Sequence, residues 1–239
     1  MIEENTVLVY TADVSALEDD ELFNKIYEKS SSYRRGRTDN MKFRKDKNLS
    51  LGAEYLLMLA LKESGIDYEN LPIKTHEFSK PYIVSSDVFF NISHSEKKVM
   101  CVLSDKPVGC DVEKIKNENL NTAKRFFSKE EYSFISSFDN EKERNDAFFR
   151  LWVLKESFMK CTGLGFNLPL SEFSVIPKGD NIILKQNIDN SVYSFKEFNI
   201  DDGYRYALCI NESYGKEKKF GGETKISRKY VTIDKGIVL

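Results

Sequence analysis

Twice along the chain, apolar residues spaced at three and four give way to runs that alternate or stay apolar. That order restricts the fold to helices followed by strands, in two cycles. A β-like run TVLVYTADV (6–14) opens the first cycle. Leu17, Leu22, Phe23, Ile26 and Tyr27 predict a helix over 17–35, and Leu49, Ala53, Leu56, Leu57, Ala60 and Leu61 a longer one over 41–64, with Gly65 as its stop. DVFFNIS (87–93), KVMCVLS (98–104) and VGCDVEKI (108–115) read as strands, and Ser104-Asp105-Lys106-Pro107 predicts a hairpin between the last two. The second cycle repeats the order: helices over 119–139 and 145–161, ended by TGLG, then strands over 171–177, 181–186, 191–199 and 204–210. The expected fold class is α+β, in two similar halves, 1–106 and 107–210. The Gly/Lys-rich tail 211–239 is expected to lack fixed structure and to carry its lysines as solvated surface. No sequence repeat accompanies the cycles, so the duplication rests on element order.

Several function classes drop out on composition. The 36 Lys+Arg nearly balance 38 Asp+Glu, a net charge of −2, which argues against a general nucleic-acid binder. The longest strongly apolar run, YLLMLAL at 55–61, is too short to span a bilayer. The opening MIEENTVLVY has no basic region before a long apolar stretch, so no signal peptide is expected. Cys101, Cys110, Cys161 and Cys209 are scattered without a C-x-x-C pair, and His76 and His94 are the only histidines. Buried thiols in a reducing cytoplasm fit that usage better than disulfides or zinc.

The chemistry concentrates in two places. In VGCDVEKI, Asp111 and Glu113 stand two apart on a strand, so both carboxylates project from one face. Like charges that close repel unless something positive lies beside them. In LWVLKESFMK (151–160), Trp152, Glu156 and Lys160 form one helical stripe, with Lys155 on a neighbouring face. Each motif alone also fits a plain solvated surface with Lys–Glu pairs. Together, three acids from a strand and a helix make a hard-oxygen set of the kind Mg²⁺ shares with phosphates. Basic candidates for the phosphate charge are YRRGR (33–37), Lys80-Pro81 and His94 in FNISHS.

The ordered set FSKPYI, FNISHS, VGCDVEKI, RFFSKEEY and LWVLKESFMK resembles the 4′-phosphopantetheinyl transferases, and most closely the broad-specificity bacterial type that activates surfactin synthetase and related synthases. The likeness runs from about residue 30 to 210. It implies a pseudo-dimer of two α+β halves with coenzyme A between them. It also implies the reaction: the phosphopantetheine arm moves to a serine of an acyl, peptidyl or aryl carrier protein, leaving adenosine 3′,5′-bisphosphate. On the matching positions, Asp111, Glu113 and Glu156 are similar to the family's Mg²⁺ ligands. Lys160 matches the lysine on the reacting phosphate, and Glu156 the residue commonly assigned as base, directly or through a water. Ser93 and His94 match the step that contacts coenzyme A phosphates, Lys80 and Pro81 a pair near adenine, and Arg34 and Arg37 two basic residues reaching the 3′-phosphate. Two positions depart from the pattern: Ser79 stands for a common glycine, and Leu49 for a common arginine, with Arg44 or Lys47 as substitutes.

The carrier is expected to dock on a basic, apolar rim at AKRFFSKEEY (123–132), where Phe126 and Phe127 also fit a core role. A monomer in the cytoplasm, with neither nucleic acid nor membrane as partner, completes the expectation. The competing readings are a Mg²⁺-dependent phosphohydrolase, which leaves the basic set unexplained, and a non-catalytic coenzyme A or carrier binder, against which the complete acid–lysine set argues.

Overall fold

The computed structural model describes residues 2–68, 71–75, 80–84, 86–118, 120–179, 181–215 and 224–234. His76 and Ser79 lie outside the described residues. In chain order the elements are β1 (Thr6–Asp13), α1 (Asp20–Lys29), α2 (Ser32–Asp39), α3 (Arg44–Glu63), β2 (Ile73–Thr75), β3 (Pro81–Ile83), β4 (Phe89–Ser95) and β5 (Lys98–Ser104). There follow β6 (Val108–Lys114), α4 (Leu120–Phe126), α5 (Lys129–Ser136), α6 (Glu141–Thr162), β7 (Ser174–Lys178), β8 (Asn181–Lys185), β9 (Tyr193–Phe198), β10 (Tyr204–Asn211) and β11 (Lys225–Val231). They divide into two compact units, Met1–Asp105 with Gly221–Leu239, and Lys106–Phe220. Both are α+β.

In the first unit the strand order is β11-β1-β5-β4, with β11 parallel to β1 and the other pairs antiparallel. The apolar face of α3 covers this sheet, Leu56, Leu57 and Leu61 joining Val99, Cys101 and Leu103 of β5 in one core. The helix expected over 17–35 is broken in two. Asp19 accepts the Leu22 amide at 3.0 Å to start α1, and Ser31 accepts the Arg34 amide at 3.2 Å to start α2. Such caps satisfy helix N–H groups that otherwise lack partners.

Two further expectations are corrected. Ser104 to Pro107 is no hairpin turn: β5 pairs with β1 and β4, whereas β6 pairs with β10. The hairpin joins β4 and β5 instead, turning at Glu96, whose φ is 53°. Nor is the tail without structure where it is described. Residues 225–231 form β11 against β1, and Lys229 reaches Glu63 at 2.5 Å. The charged sequence KISRKYV masked this strand, yet charge is what protects an edge strand from unwanted pairing.

In the second unit β6, β10 and β9 form an antiparallel sheet under α6. Val153, Leu154, Phe158 and Cys161 of α6 share a core with Ala207 and Cys209 of β10. Helix α6 begins at Asn140, which accepts the Glu143 amide at 2.8 Å, and ends at Gly163, whose φ of 77° is the left-handed cap glycine allows. The pattern over 119–139 is split by Ser128, which forms a capping box with Glu131 at the start of α5. All four cysteines are buried free thiols. No described helix is long and apolar enough to cross a membrane.

Candidate active site

The faces of β6 divide the labour. Val108, Cys110 and Val112 are wholly buried on one face. Gly109, Asp111 and Glu113 alternate with them and look toward α6: a Cβ built on Gly109 would lie 2.2 Å from the Ser157 carbonyl oxygen of that helix. On α6, Trp152 anchors the stripe that continues through Glu156 to Lys160. Its indole stacks on Phe148 at 5.8 Å, and Phe126 and Phe127 meet it edge-on.

Two turns further along, the Lys160 ammonium donates to Asp111 Oδ1 at 2.6 Å. Asp111 is only 2 % exposed. The positive group beside the strand acids is therefore first of all a lysine. Burial opposes the Lys160 charge, but Asp111, Cys110 and Glu156 outweigh it and hold its pKa above the ordinary lysine value. Glu156 is driven the other way: burial, then the charges of Asp111 and Glu113, raise its pKa to about 7 despite Lys160. The Lys160 ammonium thus meets Asp111 directly and feels the charge of Glu156, while Glu113 acts on Glu156. No group of three Asp, Glu, His or Cys side chains is drawn together tightly enough to hold a metal among the described residues.

The raised Glu156 pKa has a testable sign. Between about pH 5 and 7 the folded state keeps a proton that the unfolded chain has released, so this group's contribution to stability is lost as pH rises through 7. In the metal-free protein, Glu156→Gln is expected to raise the thermal midpoint at pH 8 by roughly 2–4 °C. At pH 5 it should change little. Melting curves of both proteins at the two pH values check this.

The basic candidates lie on separate elements of the first unit. Ser93 is buried and His94 exposed on β4; Lys80 precedes β3, and Pro81 pairs with Thr75. Arg37 is exposed on α2 and donates to the Tyr33 hydroxyl at 3.0 Å. Arg34 is engaged within the first unit. Its guanidinium is buried, giving Nε to Glu54 Oε2 at 2.8 Å and Nη1 to Ser50 at 3.4 Å. Glu54 also accepts from Ser31 and Tyr68, so Arg34 ties α2 to α3. Removing one partner of a buried pair costs about 3–5 kcal/mol. Arg34→Ala is accordingly expected to destabilise the fold by that order, read by denaturant unfolding, with Arg34→Lys recovering part. Leu49 is core, and Arg44 is engaged by Asp20, Asn48 and the Leu17 carbonyl. At the rim of the second unit, Phe127 is core, whereas Lys124 and Arg125 are exposed and Phe126 half-buried.

Sequence reasoning missed one pair. Lys155, wholly buried, donates to both Glu131 oxygens at 2.7 and 3.0 Å and to the Phe173 carbonyl at 2.6 Å. The S-x-x-E capping pattern at 128–131 was its one local signal.

A model of the 4′-phosphopantetheinyl transferase superfamily matches residues 107–209, the stretch that holds β6 and α6. The 4′-phosphopantetheinyl transferase Sfp of Bacillus subtilis (strain 168) is 37 % identical over 161 residues, 66 % of this chain and 71 % of that protein. The chain belongs to this family. The 4′-phosphopantetheinyl transferase gsp of Aneurinibacillus migulanus is 34 % identical over 69 % of both chains. The mouse L-aminoadipate-semialdehyde dehydrogenase-phosphopantetheinyl transferase is 26 % identical over 80 % of this chain and 71 % of its own. The solved holo-[acyl-carrier-protein] synthase of Thermotoga maritima superposes with a TM-score of 0.39 at 20 % identity, over 44 % of this chain and 62 % of that one, too partial a likeness to define the fold. As a 4′-phosphopantetheinyl transferase, this enzyme moves the phosphopantetheine arm of coenzyme A to a carrier-protein serine.

Proposed function

We propose that the second unit performs this transfer through Asp111, Glu113, Glu156 and Lys160, with Mg²⁺ held by the three acids. The observation that carries the reading is the cluster itself: Lys160 on Asp111 at 2.6 Å, beside a Glu156 that burial, and then its acidic neighbours, push up to about 7. The donor type suits a divalent cation, since Mg²⁺ takes hard carboxylate oxygens together with substrate phosphates, but the three acids, not drawn together among the described residues, would have to close on it. When bound, it would supply charge neutralisation on the diphosphate and on the departing bisphosphate.

Lys160 faces the transferred phosphoryl group and offsets its charge, a role in which positioning and electrostatics outweigh covalent chemistry. Glu156 orients the serine hydroxyl or a water beside it and takes up the released proton. The loose character of phosphoryl transfer lets that proton leave late, so a strong base is not required. Arg37 reaches the 3′-phosphate, with Ser93 and His94 on the other phosphates and Lys80 and Pro81 beside adenine. Arg34 supports Arg37 from within α2 rather than binding directly. The acidic carrier protein docks on Lys124, Arg125 and Phe126. The chain is a pseudo-dimer of two α+β units, and the enzyme works as a cytoplasmic monomer.

The test is intact-mass spectrometry of an apo carrier protein incubated with the enzyme and coenzyme A, with Mg²⁺ or with EDTA. A gain of one phosphopantetheine arm that requires Mg²⁺ is expected. A gain undiminished by EDTA would remove the metal from the reading. No gain on any carrier type, with coenzyme A still bound, would leave a binder without chemistry.

A further inference from the structure

We infer that Gly109 is a positioning residue of the transfer reaction: its missing side chain sets the distance between α6 and β6 at which Lys160 meets Asp111. This rests on the reading that Lys160 and Asp111 act in the reaction. The geometry is steric. A Cβ at Gly109 would lie 2.2 Å from the Ser157 oxygen, 2.3 Å from the Cys161 nitrogen and 2.8 Å from the Lys160 carbonyl carbon. All three atoms are helix backbone, so no rotamer change relieves the contact. Real Cβ atoms do not approach heavy atoms below 3.0 Å. The helix must therefore retreat by about 1 Å, and a displacement of about 1 Å can cost on the order of 10²-fold in rate.

The contact falls where it has most effect on the site. Gly109 faces the backbone of Lys160 itself, and Asp111 follows two residues later on the same face of β6. The 2.6 Å bond between the Lys160 ammonium and Asp111 Oδ1 thus spans the gap that Gly109 sets. The same close approach places Glu156 near enough to Asp111 and Glu113 to feel both charges. Within the sheet, β6 is pinned alongside β10, Gly109 paired with Cys209 and Asp111 with Ala207, both partners wholly buried. With the strand fixed, an added methyl group moves the helix. The Cys161 thiol, which reaches the Pro107 carbonyl at 3.3 Å, is a second contact across the same gap.

A suitable control exists in the first unit. A Cβ on Gly52 would meet Val14 Cγ1 at 2.3 Å, an equally short contact but with a side-chain tip rather than with backbone. Gly52→Ala therefore burdens the fold without touching β6 or α6.

The experiment compares kcat, KM for coenzyme A and thermal midpoint for Gly109→Ala, Gly52→Ala and Lys160→Ala, with carrier modification followed by mass. Gly109→Ala is expected to lower kcat about 10²-fold with KM for coenzyme A within a factor of about three, because the proposed phosphate-binding residues of the first unit are untouched. Gly52→Ala should lower the midpoint and leave kcat near that of the unmodified enzyme. If Gly109→Ala does not fold, Cys161→Leu replaces it; the larger side chain widens the same gap at Pro107 and should show the same split. Wild-type kcat in the folded gap variant, or an equal kcat loss in Gly52→Ala, overturns the inference. A Lys160→Ala enzyme that keeps full kcat overturns instead the role of Lys160 on which the inference stands.

Discussion

Asp111→Ala is expected to reduce carrier modification by at least about 10²–10³-fold while the protein stays folded. The rate loss follows from where Asp111 stands. It is buried, it holds the Lys160 ammonium at 2.6 Å, and its charge is one of the two carboxylate charges that raise the Glu156 pKa. Removing it disorients the lysine and deletes an oxygen of the proposed cation site together. The fold tolerates the change because two effects oppose each other. Lys160 loses its partner, but Glu156 loses a repelling neighbour and becomes the nearer counter-charge. The measurement is initial rate by intact mass at saturating coenzyme A and Mg²⁺, beside a thermal melt. An active Asp111→Ala enzyme would contradict both the lysine and the cation assignments. A collapsed one would show that Asp111 serves the fold before it serves the reaction.

Lys155→Met should cost about 3–5 kcal/mol of stability. A chain of this size loses roughly 2–4 °C of thermal midpoint per kcal/mol, so a fall on the order of 10 °C is expected. Burial lowers the Lys155 pKa, and Glu131 opposes that shift. Glu131 is 1 % exposed and also accepts the Ser128 and Val175 amides, at 2.8 and 2.7 Å. Without the lysine, a buried carboxylate keeps two backbone donors and no cation. The double variant Lys155→Met, Glu131→Gln should therefore be more stable than Lys155→Met alone, since the amide carries no charge and its single oxygen keeps one of the two backbone donors. Additive losses in that cycle would mean that the two side chains do not interact.

Much of the fold was legible because helix and strand periods are local properties. The long helices at 44–63 and 141–162 and strands β4, β5, β6, β9 and β10 stand within a few residues of where the pattern put them. The errors share a cause. Ser31 and Ser128 cut two helical patterns, since a cap outweighs apolar spacing where a helix N–H would otherwise lack a partner. β5 and β6 looked like a hairpin because they are adjacent in sequence, but each found its partners elsewhere, β5 in β1 and β4, β6 in β10. β11 was unreadable from its own residues, since its pairing depends on β1, more than 200 positions earlier.

The sequence by itself determined the family and the α+β class, and it singled out four polar side chains, Asp111, Glu113, Glu156 and Lys160, as the proposed site. Two-residue and four-residue spacings dictate which faces those groups share, whatever they are packed against. Only the tertiary structure decided who stands opposite whom. Arginine and glutamate read alike whether exposed or buried, so Arg34 on Glu54 and Lys155 on Glu131 became visible only once packing had removed water from them. Gly109 reads as a strand glycine until Ser157 and Cys161 lie against it, because a steric gap belongs to two elements at once and to neither sequence alone.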